Sequence, residues 1–118
     1  IDYISACANS TKACDAMELT ALQTVFGSRS ATALNAVKAM VGESFSAGGA
    51  LQVAATVGAL VHQQLPPTLN WGSADAAAGV DGVPHPPRPG RVKTALVHSV
   101  GLTGVSSAVV IRQFHDHA

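Results

Sequence analysis

From Ser44 to Ala74 the sequence carries no Asp, Glu, Lys or Arg. No other feature restricts the possible folds as strongly. Within it, 47–62 reads as a helix that is apolar nearly all round, with only Gly48, Gln52 and Thr56 recurring at i, i+4, i+8 as a narrow small-and-polar stripe. A helix with so little polar surface belongs inside protein. The Gly48-Gly49 pair weakens it by propensity, and close approach of another backbone would explain its presence. Gln52, His62, Gln63, Gln64 and Pro66-Pro67 interrupt the apolar run, which is therefore expected to be too short to cross a bilayer. Composition agrees: hydrophobic residues make up 47% and charged residues 12% of 118 residues. The charged share is half the ~25% of an ordinary soluble domain, so much of the surface is expected to be covered by other protein.

The rest of the chain reads as alternating elements. Ile1 to Cys7 is expected to be a strand leading into the polar turn Asn9-Ser10-Thr11. A helix follows from Lys12 or Ala13 to Phe26, with Met17, Ala21, Leu22 and Val25 at helical spacing and Gly27 as its stop. Ala33 to Met40 reads as a second strand, broken by Gly42. All six prolines fall in 63–91, which reads as a long surface loop. Val92 to Val100 and Val105 to Phe114 read as a hairpin about the turn Gly101 to Gly104, and His115 to Ala118 as a frayed end. The order is βαβα, loop, ββ: an α/β layered sheet, one domain over 1–118, with a buried central helix.

Formal net charge is zero, which gives no drive toward nucleic acid or a membrane surface. The two cysteines, Cys7 and Cys14, lack CxxC spacing and a matching His pair, so reduced thiols in a cytoplasmic protein are expected, with no metal and no cofactor. His115 and His117 lie at a flexible end and make a poor metal site. The start Ile-Asp-Tyr-Ile has neither a methionine nor a basic leader and suggests a piece of a longer chain.

Four segments, in order, carry a resemblance. They are Ile4-Ser-Ala-Cys-Ala-Asn-Ser-Thr11 followed by Asp15 and Glu18, Val37-Lys-Ala-Met-Val-Gly-Glu43, Leu65-Pro-Pro-Thr-Leu-Asn70, and His98-Ser-Val-Gly-Leu-Thr-Gly104. This pattern resembles the C-terminal half of the β-ketoacyl synthases, whose corresponding segments read Asn-Ala-His-Gly-Thr-Ser-Thr, Thr-Lys-Ser-Met-Thr-Gly-His, the Pro-Pro-Thr-Leu-Asn run nearly unchanged, and Asn-Ser-Phe-Gly-Phe-Gly-Gly. The resemblance implies the C-terminal half of a thiolase-like fold, with the N-terminal half and its nucleophilic cysteine absent from this chain. In the family, two histidines of this half donate hydrogen bonds to the malonyl thioester oxygen during decarboxylation. Cys7 stands at the first histidine's place and Glu43 at the second's; Lys38 matches the family lysine. A thiol is a weak donor and an ionised carboxylate donates nothing. Losing one oxyanion donor costs about 3–4 kcal/mol in comparable sites. The resemblance therefore assigns no catalytic residue. Val100 and Leu102 take the family's phenylalanine positions, where a bulky ring gates the acyl pocket, and are candidates for substrate binding.

A kept fold with lost histidines is similar to the chain-length factor, or ketosynthase-β, subunits of type II polyketide synthases. That implies a silent subunit in a heterodimer with an active ketosynthase, shaping an acyl tunnel served by an acyl carrier protein. Arg88, Arg91 and Lys93 form a modest basic cluster that an acidic carrier surface could use, against the simpler reading of a solvated loop. Lys38 is expected to pair with Glu18 or Glu43 as a structural ion pair. Cys7 reads either as a buried filler of the lost histidine's space or as a nucleophile with Lys38 beside it. Gly101 to Gly104 reads as a hairpin turn and not a phosphate cradle. Two alternatives stay open: a divergent active condensing or acyl-transfer enzyme using Cys7 or Glu43, and a purely structural partner subunit.

Overall fold

The computed structural model describes residues 1–27, 30–72 and 79–114. Its strands are β1 (Tyr3–Ser5), β2 (Ser30–Asn35), β3 (Gln64–Leu65), β4 (Val80–Gly82), β5 (Arg88–Pro89), β6 (Thr94–Val100) and β7 (Ser106–Arg112). Its helices are α1 (Lys12–Phe26), the single turn α2 (Lys38–Val41) and α3 (Gly48–His62), the last entered through a 3-10 turn at Phe45–Ala47. The main sheet has the order β4-β2-β1-β6-β7. Strands β4, β2, β1 and β6 run parallel and β7 returns antiparallel to β6. A parallel sheet is covered on both faces. Here Leu22 of α1 packs with Ile4, Ala6 and Leu34, while Ala59 and Leu60 of α3 pack with Tyr3, Ala33 and Ala95 on the opposite face. The expected α/β layering is present, with β1 buried at its centre.

The strand expected over Ile1 to Cys7 is confined to Tyr3–Ser5, and three further boundaries differ from expectation. The strand expected over Ala33–Met40 ends at Asn35, and the chain turns into α2 instead. Its ladder partner β1 stops at Ser5, the Ala36 N–H is taken by Thr68 Oγ1 at 3.0 Å, and the Ala36 and Val37 carbonyls accept from Ala39 and Met40. With no strand left to pair, the good helix formers Lys38, Ala39 and Met40 close a turn. The expected loop 63–91 holds three short strands: β4 joins the main sheet beside β2, and β3 pairs with β5. Prolines lack the N–H a ladder needs, which keeps β5 to two residues. The hairpin is present but shorter at both ends. Val92 N–H goes to Gln63 Oε1, and Asp2 Oδ2 takes the N–H groups of Lys93 and Thr94.

The central helix is the larger correction. Its buried residues are Gly48, Gln52, Thr56, Ala59 and Leu60, while Leu51, Val57 and Val61 are exposed, Val61 by 67%. The polar stripe faces the sheet and the apolar face is open. Gln52 explains the inversion. Fully buried, its Nε2 donates to the carbonyls of Ala6 at 2.8 Å, His98 at 2.9 Å and Ser5 at 3.1 Å, tying the ends of β1 and β6 together. With its 3-10 turn the helix is an 18-residue run long and apolar enough to cross a membrane by length and composition, contrary to the sequence expectation. Gln52 and Thr56, both fully buried, seat one face of this helix on the sheet.

Candidate functional site

The loops leaving the C-terminal ends of β1, β2 and β6 converge on Cys7, which is 4% exposed. Lys38, at the start of α2, reaches back over Gly48, whose missing side chain leaves room for the lysine stem: a Cβ there would lie 3.4 Å from Lys38 Cε. Lys38 Nζ sits 3.5 Å from Cys7 Sγ and donates to Glu43 Oε2 at 2.9 Å. Glu43 is held in turn by the Phe45 N–H at 2.9 Å. Gly42, at φ 76°, makes the left-handed turn that brings Glu43 back to Lys38. Val100 brackets the thiol from the other side: its N–H points at Cys7 Sγ at 3.4 Å and its carbonyl lies 3.7 Å from the same sulfur.

The charges follow from these contacts. Burial works against the Lys38 ammonium, but its bond to Glu43 and the neighbouring Cys7 outweigh it and hold the lysine above its ordinary range. The hydrogen bond from Lys38 keeps the Glu43 carboxyl below its ordinary range. The cluster therefore presents a positive charge to the sulfur, and neither Cys7 nor Glu43 supplies a strong neutral donor.

Of the two acidic partners expected for Lys38, the structure selects Glu43. Glu18, nearly buried on α1, does other work: it accepts the N–H groups of Cys7 and Ala8, both at 2.8 Å, and meets His98 Nδ1 at 2.5 Å. Sequence reasoning missed that bond, although His98 was visible as the residue standing where the resembled pattern has Asn. Asp15 lines a cavity of about 400 Å³ bounded also by Glu18, Leu22, Lys38, Thr68 and Trp71. Burial, and then the charge of Glu18, push the Asp15 carboxyl up.

The other candidates are dispersed. Leu102 lies at the hairpin tip and is 86% exposed. Arg88 pairs with Asp81 at 2.5 Å, leaving Arg91 and Lys93 as the exposed charges of the basic cluster. Gly101 to Gly104 forms the hairpin turn, with the Gly101 N–H on the Val105 carbonyl. Both cysteines are free thiols. The described residues contain no group of three or more His, Cys, Asp or Glu placed to hold a metal; His115 and His117 lie outside them.

Residues 1–72 match the family described as "Beta-ketoacyl synthase, C-terminal domain". The chain belongs to the β-ketoacyl synthase family. It is 37% identical over 112 residues to a putative polyketide beta-ketoacyl synthase 1 of Streptomyces cyaneus, covering 94% of this chain and 26% of that protein. It is 38% identical over 113 residues to the tetracenomycin polyketide synthase ketoacyl synthase beta subunit of Streptomyces glaucescens, covering 96% and 27%. Among solved structures it superposes on the ishigamide ketosynthase/chain length factor with a TM-score of 0.91 at 31% identity, covering 98% of this chain and 28% of that one. The chain thus spans about a quarter of the length of the β-ketoacyl synthase relatives it matches, and its layered sheet is the C-terminal portion of the thiolase-like fold. These relatives bear the names of both synthases and a beta subunit, so β-ketoacyl synthase membership does not choose between an active and a silent role.

Proposed function

We propose that this chain is a C-terminal portion of a ketosynthase-like subunit that does not run the condensation itself. In this reading it acts as a chain-length factor, pairing with an active ketosynthase and shaping an acyl tunnel for chains carried by an acyl carrier protein. One observation carries the proposal: the Lys38–Glu43 ion pair, 2.9 Å long, closes over Cys7 where the resembled pattern places its two histidines. Decarboxylation builds negative charge on a thioester oxygen. It needs donors aimed at that charge, and a carboxylate at position 43 repels it. The open apolar face of α3 supports the accompanying proposal that an N-terminal half covers this one, since Leu51, Val57 and Val61 are too apolar to stay in water as a continuous face. Arg91 and Lys93 remain available to an acidic carrier surface. A cytoplasmic location goes with this reading.

The test uses the full-length polypeptide, with and without a candidate ketosynthase, in a malonyl–carrier condensation assay. Turnover only in the mixture is the expected result, and robust turnover by this subunit alone refutes the proposal. The contact of Lys38 with Cys7 at 3.5 Å favours a second reading, a divergent acyl-transfer enzyme with Cys7 as nucleophile. Acylation of Cys7 by a thioester, located by peptide mass mapping, is its signature.

A further inference from the structure

Ser106, His98 and Glu18 are joined in a line. His98 Nε2 lies 3.1 Å from Ser106 Oγ, and His98 Nδ1 lies 2.5 Å from Glu18 Oε1. Three elements build the arrangement: Glu18 comes from α1, His98 from β6 and Ser106 from the start of β7. In the hairpin register His98 faces Ala108 and Ser106 faces Val100, so the two side chains are diagonal neighbours on one face of the sheet, the face α1 covers. We infer that Ser106, His98 and Glu18 form a serine nucleophile site for acyl transfer, with an acyl thioester as substrate and water as acceptor.

Glu18 already accepts two backbone N–H groups, one on each oxygen, so it faces His98 as an acceptor. Nδ1 must then carry the ring's proton, and in the neutral imidazole Nε2 is left as the acceptor. The Ser106 hydroxyl therefore donates to Nε2. A nucleophile, a base and a group that orients the base stand in the order the chemistry needs. Glu18 is a positioning residue: nearly buried, it holds the ring, while His98 is partly accessible and Ser106 is exposed in this chain. Backbone geometry adds a donor. Gly101 N–H bonds the Val105 carbonyl, which makes Gly101/Val105 a hydrogen-bonded pair of the hairpin and the next pair, Val100/Ser106, a non-bonded one. The Ser106 N–H thus points off the open edge of β7, beside the hydroxyl, where an oxyanion would form.

The step balances without a further reagent. The Ser106 oxygen bonds to the thioester carbon as its proton passes to His98 Nε2, and the carbonyl electron pair moves to oxygen. Collapse breaks the carbon–sulfur bond, and the leaving thiolate takes the proton from Nε2. Water then repeats the sequence on the acyl-serine, so the products are a thiol and a carboxylic acid.

The choice of a thioester rests on the proposed function above; the nucleophile does not. The test treats the full-length polypeptide with a fluorophosphonate probe and, separately, with an N-acetylcysteamine acyl thioester. Peptide mass mapping separates Ser106 from Cys7. The expected result is probe on Ser106, absent in Ser106→Ala and slowed by about 10²-fold or more in His98→Asn, together with thioester hydrolysis lost in Ser106→Ala. Ser106 is exposed, so its replacement leaves the fold intact. The imidazole nitrogen spectrum of the unmodified protein gives an independent readout, an Nδ1–H tautomer for His98. An unlabelled Ser106, an equal labelling rate in His98→Asn, or an Nε2–H tautomer overturns the nucleophile. Labelling of Ser106 without thioester hydrolysis overturns the substrate class alone and leaves the condensation assay untouched.

Discussion

Replacing Gln52 tests what the inverted face of α3 does for the fold. Its amide nitrogen has two hydrogens, and the Ala6 and His98 carbonyls at 2.8 and 2.9 Å are the short acceptors. Gln52→Leu keeps the volume but removes both donors at a site with no solvent exposure. Each buried acceptor left without a partner costs about 1–3 kcal/mol, so the two together cost about 2–6 kcal/mol, which the leucine's own burial offsets only in part. Gln52→Glu should be worse, because it turns a carboxylate oxygen toward three carbonyl oxygens and buries its charge. Urea denaturation of the full-length protein, followed by circular dichroism, reads both losses as midpoint shifts. The required order is native, then Gln52→Leu, then Gln52→Glu. A Gln52→Leu protein as stable as the parent would refute the claim that the amide clamps β1 to β6.

Three further outcomes are expected. Gly82→Ala should cost about 1–3 kcal/mol, as overpacking does, because a Cβ at Gly82 would lie 2.0 Å from the Trp71 ring; tryptophan fluorescence should shift with it. The Lys38–Glu43 pair should stabilise between its two titrations. Glu43 is depressed in the fold, so its contribution is full above its unfolded value of 4.5 and fades as acid protonates it; Lys38 is raised, so its contribution is full below 10.5 and fades in alkali above that. Glu43→Gln should therefore lose stability relative to the parent at neutral pH and match it in strong acid, and salt should shrink the difference. Val61→Asp in the full-length protein should cost well over the ~0.5 kcal/mol of an ordinary surface change, if other protein covers the α3 face; a neutral result in a thermal melt argues that the face stays in water.

Local patterns were legible where they had no competitor. The span of α1 could be read from its apolar spacing and from Gly27, whose N–H closes the last turn on the Gln23 carbonyl. The hairpin was legible because its two valine-rich runs pair with each other and need nothing from elsewhere. The end of β2 was not, because Ala36 and Val37 continue its apolar run in the sequence, and the missing neighbour beyond Ser5 decides. The short strand β4 was hidden for the same reason: Val80–Gly82 carries no pattern of its own and is ordered by pairing with β2.

The sequence alone determined the layered α/β class, the family, and the loss of imidazoles at positions 7 and 43, since each of these is written in residue identity and spacing. Tertiary structure alone decided which acid pairs with Lys38, which face of α3 turns to the sheet, and that Glu18 reaches His98, 80 positions away along the chain. The physical reason is the range of the interactions. Helix and strand periodicity act over a few residues, whereas a carboxylate chooses among donors by distance, and only the packed sheet sets those distances.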